Sequence, residues 1–212
     1  MPTHYVHRGL IKKKLAENTL ESFRKSLKKG YGIETDIHAT KDNQFICFHD
    51  FTLRRIYGDN RSVNKLNFSQ IKNISKNKIP LLNDLLKQSK NKYFVFIEIK
   101  PLLSNEQIKK LLKETSKYKK CVFISFKEKN IFKVLNINKN IKVGLSYAQF
   151  SNVKNIIKKS KNKKINYLIL DKFFLENEKI KKLQIEKFFY TIKKKSIFKK
   201  YCKKNNLIFE NL

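Results

Sequence analysis

From residue 93 onward the sequence alternates between two periodicities, and this limits the folds open to it. Tyr93–Ile99 (YFVFIEI), Cys121–Phe126, Lys142–Tyr147, Ile165–Leu170, Phe188–Ile192 and Leu207–Glu210 are short, mainly apolar runs. Between them, apolar residues recur at helical spacing: Ile108, Leu111 and Leu112, then Val153, Ile156 and Ile157. Helices are also expected over Glu128–Leu135, Glu178–Ile185 and Ser196–Lys204. Near-continuous apolar strands belong to parallel sheets covered on both faces. Strict strand–helix alternation implies right-handed crossovers between parallel strands. With strands beginning near Thr3 and Ile33, the count reaches about eight, the number of a TIM barrel. The expected class is therefore α/β, a (β/α)8 barrel, with too little chain after the last strand for a full eighth helix. An open doubly wound sheet is the alternative, but no Gly-rich phosphate loop occurs in the sequence. The 212 residues suit one domain, 1–212.

The first half carries more polar detail. Thr3–Val6 reads as a strand ended by His7-Arg8-Gly9. Asn18 reads as an N-cap with Glu21 three residues on, and Leu20, Phe23 and Leu27 form the stripe of a helix ending near Gly30. Gly32–Asp50 (GIETDIHATKDNQFICFHD) reads as a β-hairpin. A two-residue loop at Asp42-Asn43 would set Asp36 opposite His49. Side chains alternate along a strand, so Glu34, Asp36 and His38 share a face. Glu34, Asp36 and His49 are thereby gathered into one small volume. Two carboxylates that close repel each other, and a hard divalent cation between them relieves the repulsion. A surface hairpin with solvated charges is the other reading. Phe51–Ile79 reads as a polar, irregular excursion after the second strand, with one short helix near Phe68–Ile74. Pro80 opens a helix over Leu81–Gln88, and Ser104-Asn-Glu-Gln107 is a capping-box start.

Active sites of such barrels lie at the C-terminal ends of the strands. His7-Arg8-Gly9, Glu34-x-Asp36 and Glu98-x-Lys100 sit at three such ends, and the hairpin returns His49-Asp50 to the same mouth. Adjacent strands are ~4.8 Å apart, so these groups can meet one small ligand.

Net charge is +32, which raises nucleic acid or an anionic membrane as partners. Only five of the 49 basic residues are arginine, and lysines run along the whole chain beside abundant Asn and Ile. All three have A/T-rich codons, so base composition is a sufficient cause. A dedicated nucleic-acid surface carries arginine forks, clusters or interleaved aromatics, none of which stands out. The expectation is no specific nucleic acid, attraction for anionic substrates, and at most a weak pull toward anionic membranes. No run approaches the ~20 apolar residues of a membrane span. The N-terminus lacks a signal-peptide pattern, and Cys47, Cys121 and Cys202 are too scattered for a disulfide framework. A cytoplasmic location with reduced thiols is expected.

The motifs together resemble the glycerophosphodiester phosphodiesterase family. They are H-R-G at His7–Gly9, E-N-T at Glu17–Thr19 with Phe23 after it, E-T-D at Glu34–Asp36 and T-K-D at Thr40–Asp42. H-D at His49–Asp50, L-R-R at Leu53–Arg55, Ile79-Pro80 and E-I-K at Glu98–Lys100 follow in the same order. The resemblance implies a TIM barrel, a divalent metal (Mg²⁺ or Ca²⁺), and hydrolysis of small glycerophosphodiesters to glycerol 3-phosphate and an alcohol. It makes Glu34, Asp36 and Glu98 the metal ligands. His7 and His49 become the acid/base pair, and Arg8 and Lys100 the phosphate binders. Glu17 either supports these groups or braces the first loop, and Asp50 orients His49 or caps the excursion. His4 and His38 are expected to be structural, while Phe51 and Tyr57 either line the pocket or pack the excursion. Tyr190–Lys193 and Asn205–Asn211 depart from the family pattern on the substrate side. Two other functions compete: lysophospholipase D action on lysolipids, and non-enzymatic polyanion binding. Soluble diesters are expected to be preferred, since no apolar docking segment is evident.

Overall fold

A computed structural model describes residues 3–11 and 16–212. Strands β1 (His4–His7) and β2 (Gly32–Ala39) are followed by a hairpin arm, β3 (Phe45–Cys47). Then come β4 (Val95–Ile99), β5 (Cys121–Ser125), β6 (Val143–Tyr147), β7 (Tyr167–Asp171), β8 (Glu186–Ile192) and β9 (Asn206–Phe209). All but β3 are parallel, in the order β1-β2-β4-β5-β6-β7-β8-β9, and β9 pairs back onto β1. This is a closed eight-stranded TIM barrel.

The helices are α1 (Leu20–Lys28), α2 (Arg54–Tyr57), α3 (Phe68–Ile74), α4 (Leu82–Ser89), α5 (Asn105–Thr115), α6 (Glu128–Ile137), α7 (Val153–Ser160), α8 (Glu178–Lys181) and α9 (Lys195–Tyr201). Helix α8 stops after one turn, short of the expected Ile185, because β8 already begins at Glu186. No helix follows β9 in the residues to Leu212.

Three local readings are corrected. The N-cap of α1 is Thr19: its Oγ1 accepts from Ser22 N at 3.2 Å, and Ser22 Oγ accepts from Thr19 N at 3.1 Å. Asn18 has a left-handed backbone (φ 52°) and turns its amide toward β2, accepting from Thr35 Oγ1 at 2.8 Å. The hairpin loop has three residues. Ile37 pairs with Cys47 and Ala39 with Phe45, so Asp36 stands opposite Phe48, one place from the expected His49. The extra residue is taken up by Asn43 at φ 56°, the left-handed position that ends a three-residue hairpin loop. The excursion contains two helices and a 3-10 turn (Val63–Lys65) packed on an apolar cluster of Ile46, Phe48, Leu53, Val63, Leu66, Ile71 and Ile79. Those residues are too widely spaced to show a period, and β3 supplies the surface that gathers them.

The barrel interior grades from apolar to charged. Tyr5, Phe96, Ile124, Ile169, Phe188 and Ile208 fill its lower part. Each such side chain contributes about 1.5–3 kcal/mol by leaving water. Two residues further along the same inward faces stand His7, Glu98, Phe126 and Glu210, so alternation carries the chain from plug to site.

Candidate active site

Register brings the charged groups together. His7 pairs directly with Glu34 across β1 and β2, and Asp36 pairs with Glu98 across β2 and β4. One oxygen each of Glu34, Asp36 and Glu98 lies within 4.8 Å of the others. All three residues are buried, and Glu34 Oε2 has no hydrogen-bond partner. Burial pushes Glu34 well above the ordinary carboxylate range, and the charges of Asp36 and Glu98 add to it. Burial, then Asp36, pushes Glu98 up to about 7. Burial also works against Asp36, but Arg8 and Lys100 outweigh it and hold the carboxyl below its usual value. Three crowded carboxylates, one with an orphaned buried oxygen, fit a hard cation.

The cationic side chains lean on this cluster. Arg8 Nε is 3.0 Å from Asp36 Oδ2, off the line of a hydrogen bond, and its guanidinium also reaches Glu17 Oε1 at 3.2 Å. Lys100 Nζ is 2.8 Å from Glu98 Oε1 and 3.5 Å from Asp36 Oδ1. Gly9 makes the turn behind Arg8 possible. Its φ is 80°, and a Cβ there would lie 2.4 Å from Ser22 Oγ.

Both histidines are gripped at Nδ1. Glu210 Oε2 is 3.2 Å from His7 Nδ1, and a carboxylate can only accept, so the proton sits there and Nε2 faces Glu34 Oε2 at 3.8 Å. The bond to His7 leads the causes that hold Glu210 down at about 2. Asp50 Oδ1 is 2.6 Å from His49 Nδ1, which leaves His49 Nε2 free. Burial lowers His49 below the ordinary imidazole value, and the Asp36 charge offsets this only in part. His38 donates from Nε2 to the His49 carbonyl at 3.0 Å, so it fixes the hairpin's return.

His7, Arg8, Glu34, His49, Glu98 and Lys100 share one cavity of about 310 Å³, closed on its far side by Phe126, Tyr190 and Lys193. Glu17 and Asp50 stand behind it, joined by Arg55, which donates from Nε to Asp50 Oδ2 at 2.6 Å and from its terminal nitrogens to Glu17. Tyr57 packs against Phe48 and Phe51 against His38; neither lines the cavity. Sequence reasoning does not single out Glu210, Arg55 or Lys193. Glu210 carries a usable signal, since it follows Ile208 by two residues at a strand end and so faces inward. Arg55 falls in the L-R-R motif, but nothing in the sequence ties it to Glu17, which it reaches from 38 residues away.

The three cysteines are free thiols, and no helix among the described residues is long and apolar enough to cross a membrane.

A glycerophosphodiester phosphodiesterase of Caldanaerobacter subterraneus subsp. tengcongensis is 28% identical over 158 residues, 66% of this chain and 65% of that protein. A human lysophospholipase D is 36% identical over 69 residues, 32% of this chain and 22% of that protein. The chain thus spans less than two thirds of these curated relatives. Among solved structures, a glycerophosphodiester phosphodiesterase of Thermotoga maritima superposes with a TM-score of 0.85 at 23% identity, covering 100% of this chain and 95% of that one. A phosphodiesterase of Oleispira antarctica, solved with the product sn-glycerol-3-phosphate, gives 0.84 at 18% identity, covering 99% and 93%. At these identities the likeness is one of fold. The profile of the glycerophosphoryl diester phosphodiesterase family matches residues 7–204, nearly the whole chain. The chain belongs to the glycerophosphoryl diester phosphodiesterase family.

Proposed function

We propose that this chain is an enzyme that hydrolyses small glycerophosphodiesters to glycerol 3-phosphate and an alcohol with a bound divalent cation. The observation that carries the reading is the buried trio Glu34, Asp36 and Glu98, two of which line one cavity together with His7 and His49. The three carboxylates would hold Mg²⁺ or Ca²⁺, hard ions that take oxygen ligands. When bound, that ion supplies Lewis-acid charge to the phosphoryl oxygens. Arg8 and Lys100 line the same wall and would turn to the phosphate once the ion neutralises the carboxylates they lean on.

His49, lowered by burial, is neutral near pH 7 and suited to accept a proton. It takes the proton of the glycerol 2-hydroxyl as that oxygen attacks phosphorus, an attack within one molecule and so entropically favoured. His7, carrying a proton on Nε2 as well as the one Glu210 holds on Nδ1, gives the Nε2 proton to the departing alcohol. Water then opens the cyclic phosphate while the two histidines exchange roles. Asp50 and Glu210 hold each imidazole at Nδ1, leaving Nε2 as the working atom.

The test is release of glycerol 3-phosphate from glycerophosphocholine: EDTA should abolish it, and Mg²⁺ or Ca²⁺ restore it. An analogue without the 2-hydroxyl should resist; equal hydrolysis would replace the cyclic route by direct attack of water. Phe126, a half-exposed apolar ring on the cavity wall, favours lysophospholipase D action as a second reading. Preference for lysophosphatidylcholine over glycerophosphocholine would select it. The absence of hydrolysis of either diester with metal present would overturn both.

A further inference from the structure

Seven large apolar side chains are exposed among the described residues, and six lie at one end of the barrel. Because the barrel strands are parallel, the loops leaving them share the end where the cavity opens. Leu102 follows β4, Phe126 follows β5, Phe150 follows β6 and Phe173 follows β7. Phe51 joins them from the hairpin's return, with Lys127 of the β5 loop over its ring at 5.7 Å. Leu20 opens α1 at the same end, and only Ile137, the last residue of α6, lies at the other. Phe150 is 94% exposed and Phe173 63% exposed. An apolar rim of this kind marks an interaction surface.

Charge says what covers it. Acids near the rim are engaged by lysines, Glu128 by Lys159, Glu176 by Lys181 and Lys200, and Glu178 by Lys181, while Asp171 accepts from Phe173 N. Lys127 and Lys172 stand exposed next to Phe126 and Phe173 in the chain, and Lys194 and Lys195 are exposed in the stretch that leaves β8 at the same end. Lysines coat the whole chain, so charge alone selects no face; the rings do. Aromatic tips among lysines match a bilayer, where rings enter the headgroup layer and ammonium groups meet anionic lipid.

We propose that the cavity end of the barrel is a docking face for an anionic lipid bilayer. The rings on successive loops sink into the headgroup layer, and the lysines hold the face to negatively charged lipid. Docking turns the cavity mouth toward the membrane. The face does not depend on the reaction proposed above, and its test needs no turnover.

The test is flotation with phosphatidylcholine vesicles, with and without phosphatidylserine, at moderate salt. The whole chain should float with the anionic vesicles and far less with the neutral ones. Phe150→Ser with Phe173→Ser should weaken partitioning about tenfold or more, with thermal melting unchanged. Ile137→Ser should leave it intact. The chain contains no Trp, so Phe150→Trp supplies a sole reporter whose emission should shift to the blue on anionic vesicles, while Ile137→Trp should not. Equal flotation of the double variant would mean diffuse lysine attraction and overturn the proposal. So would a solution dimer that the double variant dissociates, which would make the occupant a second copy of the chain.

Discussion

Asp50→Asn tests whether His49 works from where the hairpin delivers it. The substitution keeps the shape of the Asp50 side chain and removes its charge. It takes away a 2.6 Å charge-assisted bond to Nδ1, between side chains that are 31% and 20% exposed. Such bonds contribute about 1.5–3 kcal/mol, and the partial exposure points to the lower part, about 1.5–2 kcal/mol. At 1.36 kcal/mol per decade this predicts a fall in kcat of about ten- to thirtyfold. KM for glycerophosphocholine should change little, because Asp50 does not line the cavity. The pH profile adds a sign. The bond to Asp50 raises His49, so without it the imidazole falls further, and the acid limb of kcat/KM should move to lower pH. Arg55→Gln separates the two partners of Asp50: it should cost less than Asp50→Asn, since the His49–Asp50 bond survives. Unchanged kcat with the acid limb in place would refute the role of His49 as base.

Metal affinity, measured by calorimetry, should fall below about pH 7, because Glu98 titrates at about 7 and must lose its proton to bind. The sign reverses for the metal-free fold. Its carboxyls hold protons that the unfolded chain releases, so its melting temperature should drop as pH rises from 4.5 through about 7, and added metal should restore it. A flat pH response of both would refute the buried cluster. His7→Ala and His49→Ala should each lower turnover by ~10²–10⁴, with the double variant little worse than the worse single, because both serve one proton circuit; additive losses would separate their roles. Gly9→Ala should destabilise by about 2–4 kcal/mol in denaturant titration, since φ 80° and the approach of Ser22 both resist a Cβ; a smaller effect would show that the turn relaxes.

The barrel was legible because periodicity is a property of contiguous backbone. A strand buried on both faces reads apolar wherever it is placed, and eight of them alternating with helices leave few ways to close. The shared face of Glu34 and Asp36 followed from the same alternation, and barrel closure set His7 beside Glu34 and Glu98 beside Asp36. The hairpin register was not legible. Asn43 can end a loop of two residues or of three, and only packing of β3 against the excursion selects three. Arg55 could not be tied to Glu17 or Asp50 from the sequence, because a side chain's partner across 38 residues is fixed by where an irregular excursion folds back. The apolar rim is the plainest case. Phe51, Leu102, Phe126, Phe150 and Phe173 lie in separate loops, so no window of sequence contains a docking segment. They become one surface only because parallel strands send every such loop to the same end.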